Sequence, residues 1–152
     1  MAKHLPITVK GKSKSDMRSQ FAALCFRVRQ GKCSVLLVTS RGTGRWIIPK
    51  GWPEYDMTPA SCAAKEAWEE AGVKGRTFER CIGIYSYSKW VKNGPNLPCV
   101  VMVFPTAVKS TEAEYPEHKS RKRKWFSKKK AAKKVSDPEL ARIIKNFDPR
   151  VL

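Results

Sequence analysis

The segment TPASCAAKEAWEEAGV, residues 58–73, constrains the fold most strongly, because it carries signals for both ends of one helix. Thr58 suits the N-cap, Pro59 the first helical position and Gly72 the left-handed position just beyond the last turn. At about 3.6 residues per turn, small or apolar residues share one side of this helix: Ala60, Ala64, Ala67, Trp68 and Ala71. Because alanines allow close approach, we expect this side to pack on a sheet.

Strand patterns occur on both sides of that helix. Apolar and β-branched runs bounded by turn residues predict strands at residues 21–28, 34–39, 45–49, 80–89, 98–108 and 123–127. A closing helix is predicted over residues 136–147, while the lysine-rich residues 128–134 fit either a helix start or a loop. Strands mixed with helices indicate an α/β (α+β) fold with a central mixed sheet.

Length and composition are those of one domain with a sizeable core, since 41% of the 152 residues are hydrophobic. We expect a flexible basic segment at residues 1–18 and a single domain at residues 19–150. No apolar run reaches the roughly 20 residues needed to span a membrane, so no membrane partner is expected. Five scattered cysteines without a CxxC pair indicate reduced thiols in a cytoplasmic protein.

Positive charge dominates the chain, whose formal net charge is +18. In residues 118–134, ten of 17 residues are Lys or Arg and none is acidic. Such a run is typical of a solvated face or of a patch that binds nucleic acid. It also suits the surroundings of a polyphosphate, or a docking surface for an acidic protein or a ribosome. Charge alone leaves these alternatives open.

Against this background, three glutamates lie close together in the predicted helix. Glu66, Glu69 and Glu70 share the side opposite the alanines, where they repel one another near the negative end of the helix dipole. This placement costs about 1 kcal/mol, and a bound Mg²⁺ or Mn²⁺ would reverse its sign. The alternative is a solvated acidic face in which Lys65 pairs with Glu69.

Residues 51–73 resemble the Nudix box, G-x5-E-x7-R-E-U-x-E-E-x-G-U, in which U is bulky and apolar. The matching positions are Gly51, Glu66, Glu69, Glu70, Gly72 and Val73. Ala67 is a smaller residue at the first U position, and Met57 and Lys65 replace the early glutamate and the arginine. Either Glu54 or Asp56 is a candidate substitute for the missing acid.

The resemblance extends over roughly residues 21–147. It is strongest to the branch that includes diphosphoinositol polyphosphate phosphohydrolases and dinucleoside polyphosphate hydrolases. It implies an α/β/α sandwich and a hydrolase that cleaves a phosphoanhydride with Mg²⁺ or Mn²⁺. The expected substrate is a small, highly charged polyphosphate, such as a dinucleoside polyphosphate or an inositol pyrophosphate. The alternative is a Nudix-fold module that binds nucleic acid or RNA through residues 118–134 without hydrolysis.

The resemblance also implies roles for individual residues. Glu66, Glu69 and Glu70 are the candidate catalytic and metal-binding groups, together with the carbonyl of Gly51. The general base is one of these glutamates or a later one, Glu114 or Glu117. Since Arg clamps phosphate and Lys offers a point charge, the candidate phosphate-binding residues are Arg18, Ser40, Arg41, Arg45, Lys50, Arg121 and Arg123.

Overall fold

The computed structural model describes residues 18–152. Residues 1–17, which include nearly all of the predicted flexible basic segment, lie outside the described part, and Arg18 begins the first strand. The strands are β1 (Arg18–Arg29), β2 (Lys32–Thr39), β3 (Trp46–Ile47), β4 (Lys50–Gly51), β5 (Val73–Thr77), β6 (Gly83–Lys89), β7 (Leu97–Thr111) and β8 (Arg123–Ser127). The helices are α1 (Pro59–Ala71), α2 (Lys128–Lys134) and α3 (Pro138–Asn146), followed by a 3-10 turn at Pro149–Val151.

The eight strands form one mixed sheet, as predicted. Its main order is β3-β2-β1-β7-β5, with β4 paired to β1, β6 to β7 and β8 to β2. The two longest strands, β1 and β7, run parallel, and the other pairs are antiparallel. The parallel pair at the centre is buried on both faces, which explains the nearly continuous apolar sequence of β1.

Alternate residues of the central strands divide the core into two layers. Ala23 of β1 and Leu36 of β2 pack with α1, whereas their neighbours Leu24 and Leu37 pack under α2 and α3. Successive side chains of a strand point to opposite faces, so each central strand contributes to both layers. The α/β/α arrangement is therefore confirmed, with α1 on one face and the α2–α3 pair on the other.

Both predicted ends of α1 are confirmed. The Thr58 side chain accepts a hydrogen bond from the Ser61 N–H, and Gly72 adopts a left-handed φ of 66°. The Gly72 N–H donates to the Trp68 carbonyl oxygen at 2.9 Å. This last turn brings the polypeptide directly into β5, a short edge strand that the sequence patterns did not predict.

The predicted division of α1 into an apolar side and an acidic side is wrong in two respects. Ala63 and Glu70 are buried, whereas Ala64 and Trp68 are only half-buried. The reason is that the segment after β7 also covers this helix, since the Glu117 N–H donates to the Glu69 carbonyl oxygen. Helical periodicity identifies the side that faces the sheet, but it cannot show a second cover from distant residues.

The lysine-rich residues 128–134 form α2, which settles the alternative between helix and loop. Ser127 is its N-cap and accepts a hydrogen bond from the Lys130 N–H. All five cysteines are free thiols, three of them buried, as expected. Within residues 18–152, no helix has both the length and the apolar character needed to cross a membrane.

Candidate active site

The candidate active site lies where the short strand β4 meets the middle of α1. Gly51 pairs with Phe21 of β1, which places its backbone directly against Glu66. A Cβ atom at Gly51 would lie 2.2 Å from Glu66 Oε1, well inside van der Waals contact. The glycine of the box is therefore required by the close approach of a carboxylate to the backbone.

Glu70 is the most unusual side chain of the site. It is only 5% exposed, and its Oε1 has no hydrogen-bond partner among the described residues. Burial raises the pKa of Glu70 to about 8, and the neighbouring Glu66 adds to this effect, whereas Arg121 opposes it. Burial also raises the pKa of Glu66. A buried carboxylate oxygen without a hydrogen bond is costly, so this atom is suited to bind an additional group.

Lys50 supplies positive charge next to the glutamates. Burial lowers the pKa of its ammonium to about 8, while the attraction of Glu70 acts in the opposite direction. Its Nζ lies 5.0 Å from the centroid of the Tyr87 ring, and the Tyr87 hydroxyl donates to Gln20 Oε1 at 2.6 Å. Lys50 is thus held between an aromatic face and the carboxylate pair.

Arg121 joins three parts of the chain beneath the site. Its Nε lies 3.2 Å from Glu117 Oε1, and its Nη1 donates to the Thr39 carbonyl oxygen at 3.0 Å. Its Nη2 lies 3.7 Å from Glu70 Oε1, and the Arg121 side chain is 9% exposed. The guanidinium therefore connects β2, the loop before β8 and α1, which makes it a positioning group for two carboxylates.

The structure separates the two candidate general bases. Glu117 lies against α1 through its backbone, and its Oε1 is also 3.6 Å from Arg41 Nε. Glu114 is exposed, and within residues 18–152 it makes no hydrogen bond or ion pair. Only Glu117 is thus brought to the glutamates of the box.

Glu69 lies at the margin of the site and faces the loop before α1. Its Oε1 is 3.9 Å from Lys65 Nζ, and this ammonium also contacts both carboxylate oxygens of Glu54 at 2.7 Å. Glu54 is therefore the loop acid that pairs with the lysine, whereas Met57 packs against the core layer under α1. Although Met57 and Lys65 depart from the box, the pairing of Lys65 with Glu54 preserves an ion pair between the loop and the helix.

The remaining candidate phosphate-binding residues occupy three places. Ser40 organises the loop after β2 by accepting from the Arg45 N–H at 2.9 Å, and Arg45 itself is exposed. Arg18 is exposed at the start of β1, beside Cys99 of β7. Arg123 donates to the Ala71 carbonyl oxygen at 2.7 Å and thereby caps the end of α1.

Sequence reasoning missed two contributors to the site. Thr39 offers its carbonyl to Arg121 and its hydroxyl oxygen to the Lys122 N–H, and only the pairing of β2 with β8 brings these residues together. Tyr87 supports Lys50 through the face of its ring. Tyr85, two residues earlier on the same strand, is 2% exposed and belongs to the core.

The fit of this site to a divalent cation rests on two carboxylates. Within residues 18–152, no group of three or more His, Cys, Asp or Glu side chains could hold a metal ion. Glu66 and Glu70 nevertheless face each other beside the Gly51 backbone, and Glu70 Oε1 has no hydrogen-bond partner among the described residues. Mg²⁺ is commonly held by one or two carboxylates and completed by substrate phosphates, so the residues present fit such an ion.

Replacing Gly51 with Ala tests the close approach at β4. We expect the Glu66 side chain to move, so that hydrolysis falls roughly tenfold or more while the fold survives, because a flexible side chain can yield. Activity assays and thermal unfolding of the variant measure both effects. Gly94→Ala is the matched control, since its nearest contact would be 3.9 Å away. Equal activity of the Gly51 variant and wild type would contradict the role assigned to this contact.

Known proteins share the fold of this chain. The profile of the NUDIX domain family matches residues 18–147. The crystal structure of a C. elegans Ap4A hydrolase binary complex has a TM-score of 0.66 at 19% identity, covering 88% of this chain and 97% of that one. At this identity the similarity shows the fold.

Two curated relatives agree with the resemblance found in the sequence. Diphosphoinositol polyphosphate phosphohydrolase NUDT4B of Homo sapiens is 31% identical over 133 residues, which are 88% of this chain and 71% of that protein. Diphosphoinositol polyphosphate phosphohydrolase 3-alpha of Homo sapiens is 32% identical over 116 residues, which are 76% of this chain and 68% of the relative. Together with the profile match, they show that the chain belongs to the NUDIX family of hydrolases.

Proposed function

We propose that this Nudix hydrolase cleaves a phosphoanhydride bond in a highly anionic small molecule, either an inositol pyrophosphate or a dinucleoside polyphosphate. The observation that carries the proposal is the buried Oε1 of Glu70 beside Glu66 and Gly51, which has no hydrogen-bond partner within residues 18–152 and an arginine only at 3.7 Å. Two human relatives with more than 30% identity are diphosphoinositol polyphosphate phosphohydrolases, which supports the first substrate class.

The distribution of charge around the site supports an anionic substrate. Lys50 lies beside the carboxylate pair, while Arg41 and Arg45 project from the loop after β2. The Arg41 side chain is 65% exposed, so its guanidinium remains accessible to a phosphate. Cations at the rim of a site raise the local concentration of an anion and offset the repulsion between its phosphates and the glutamates.

A nucleobase would find an aromatic surface close to the same cations. Trp52 follows Gly51 directly, is 41% exposed, and has the Lys89 ammonium 5.9 Å from its ring centroid. Trp90 is 74% exposed at the end of β6. Exposed indoles can stack on a base, which supports a dinucleoside polyphosphate as the second substrate class.

The residues of the chain divide the chemical work between them. Glu117, oriented by Arg121 and Arg41, is placed to accept the proton of an attacking water. Lys50 is placed to balance charge that develops on a phosphate oxygen. Glu66 and Glu70, with the carbonyl of Gly51, would hold Mg²⁺ or Mn²⁺, and Glu69 remains a predicted further ligand. When bound, the cation would supply charge neutralisation on the phosphates.

The second candidate, a binding module without hydrolysis, is less consistent with this site. The carboxyl groups of Glu66 and Glu70 offer no attraction to the phosphates of a nucleic acid, and burial of Glu70 without a cation imposes a cost. A module that only bound phosphates would gain nothing from this arrangement. The hydrolase accounts for both features.

A panel of phosphoanhydrides tests the proposal. We expect the protein to release phosphate or a nucleotide from inositol pyrophosphates or diadenosine polyphosphates in Mg²⁺ or Mn²⁺, and to lose this activity in EDTA. The panel also contains nucleoside triphosphates, nucleotide sugars, ADP-ribose and capped RNA. Cleavage restricted to these other compounds would refute the substrate class. Absence of cleavage for every compound, with the fold intact by circular dichroism, would favour the binding module.

A further inference from the structure

The helices α2 and α3 enclose an open groove of about 620 Å³ on the face of the sheet opposite α1. We call it the basic groove, because its polar lining consists of cations from both helices: Lys128, Lys129, Lys133, Arg142 and Lys145. No acidic residue lines it. Arg142 and Lys145 lie beyond the basic run of the sequence, so only the packing of α3 beside α2 joins them to the lysines.

Four of these cations are unpaired. Lys129, Lys133, Arg142 and Lys145 are exposed, and none of them forms an ion pair with another residue in the part of the chain that the structure describes. Lys128 differs, because its ammonium donates to the Phe147 carbonyl oxygen and thereby ties α2 to the end of α3.

The stability of the fold explains these charges only in part, since Lys133 and Lys145 lie in the last turns of their helices. Lys129 and Lys133 are four residues apart on one helix, where like charges repel. The contact of α2 with the core is made by Ala131, which is fully buried. The helix dipole favours Lys133 in the last turn of α2 but disfavours Lys129 in the first turn, so Lys129 opposes local stability. A bound polyanion would make both charges favourable.

The proposed hydrolysis does not explain them either. The basic groove shares no residue with the site formed by Gly51, Glu66 and Glu70, and the central sheet lies between α1 and the α2–α3 pair. A small polyphosphate bound beside Glu70 would therefore not reach the groove. Its charges need a different and more extended partner.

The lining indicates the chemistry of that partner. Its apolar part consists of Ala132, Ala141 and the aliphatic stems of the lysines and Arg142, without the large apolar side chains that anchor protein–protein interfaces. It also contains no aromatic ring, whereas sites for single-stranded nucleic acid stack bases on aromatic side chains. Flexible cations without aromatic or apolar anchors suit repeated phosphate contacts.

From these observations we infer that the basic groove binds the phosphate backbone of a double-stranded nucleic acid, DNA or RNA, independently of base sequence. Such contacts neutralise phosphates and release counterions, so the affinity depends steeply on salt. The four unpaired cations predict a slope of about −3 to −4 in log K against log salt concentration. Affinity is then expected to fall roughly 100-fold between about 50 and 200 mM salt.

Fluorescence anisotropy with labelled duplexes of about 20 base pairs tests the inference. The groove variant carries Gln at positions 129, 133, 142 and 145. Its control carries Gln in place of Arg29, Lys32, Lys92 and Lys109, which are also exposed, lie outside the groove and form no ion pair within residues 18–152. Both variants lose one Arg and three Lys, so they have the same net charge. Thermal unfolding and hydrolysis by each variant verify that the fold and the active site remain intact.

We expect the groove variant to lose at least about tenfold in affinity and most of its salt slope, while the control keeps both. A difference between the DNA and RNA duplexes would identify which of the two is the ligand. If both variants lost the same affinity for the duplexes, the loss would be due to net charge alone and the inference would be overturned. Binding only to single strands or to poly-glutamate, or to none of these probes, would overturn it as well.

Discussion

Replacing Glu70 with Gln is expected to lower phosphoanhydride hydrolysis by roughly 10²- to 10³-fold, the scale for removing one charge-stabilising group from a site. The amide keeps the shape of the side chain but carries no negative charge for a cation. Initial rates in Mg²⁺ and Mn²⁺ measure this loss. The substitution Glu79→Gln is the matched control, because Glu79 is exposed and outside the site. Wild-type activity in the Glu70 variant would refute the proposed site.

The same substitution is expected to stabilise the metal-free protein at high pH. The pKa of Glu70 rises from 4.5 to about 8 in the folded state, so between these values the folded protein binds a proton that the unfolded chain has lost. Stability therefore falls as pH rises through this window, and the Gln variant lacks that loss. At about pH 9 we expect the free energy of unfolding of the Gln variant to exceed that of wild type by about 3 kcal/mol. This is less than the full effect of the pKa shift, at roughly 1.4 kcal/mol per pKa unit, because the buried amide also needs hydrogen-bond partners.

Urea unfolding in EDTA at several pH values measures this effect. At a pH near 4.5, the ordinary pKa of a glutamate, wild type and the Glu70→Gln variant should have similar free energies of unfolding. The difference between them should grow as the pH rises. Glu79→Gln should follow the wild-type pH profile at every pH. A Gln variant that is less stable than wild type at about pH 9 would show that the charged carboxylate is favourable in the metal-free fold.

The second large effect is expected for Arg121→Met, which keeps much of the side-chain volume but removes the guanidinium. Glu117 and Glu70 would lose their shared cation, and the Thr39 carbonyl would lose its donor. Removing one member of a buried ionic network typically costs about 3 kcal/mol or more. We therefore expect a marked loss of stability, together with lower kcat because Glu117 loses its orientation.

Denaturant unfolding and steady-state kinetics separate the two consequences for Arg121. Arg121→Lys should recover part of the stability, but less of kcat, because an ammonium cannot span three acceptors with fixed geometry. Arg150→Met is the control, since that guanidinium pairs with Asp148 at an exposed position and its loss should leave the unfolding midpoint unchanged. A Met variant as stable and active as wild type would contradict the positioning role.

The local signals of the sequence were sufficient for the elements around the site. Thr58, Pro59 and Gly72 defined both ends of α1, because capping depends on residues within one turn. The strand β5 was missed, since an edge strand with exposed Lys74, Gly75 and Arg76 has no apolar alternation. Its position depends on pairing with β7, which lies distant in the chain.

The identity of the chemical groups was also present in the sequence, but their environments were not. The spacing of Glu66, Glu69 and Glu70 placed three carboxylates on the side of α1 opposite the alanines, either as metal ligands or as a solvated acidic face. In the structure Glu70 is buried, Glu66 contacts the Gly51 backbone and Glu69 turns towards Lys65. These differences arise from β4 and from the segment around Glu117, both distant from α1 in sequence.

The sequence by itself determined the helix, the central strands and the box of glutamates that place this chain among the Nudix hydrolases. Only the tertiary structure decided which carboxylate is buried, that Arg121 joins Glu70 to Glu117, and that the basic run is divided between the active site and the basic groove. The physical reason is that caps and periodicity act over a few residues, whereas burial and charge–charge contacts depend on segments that meet only when the chain is folded.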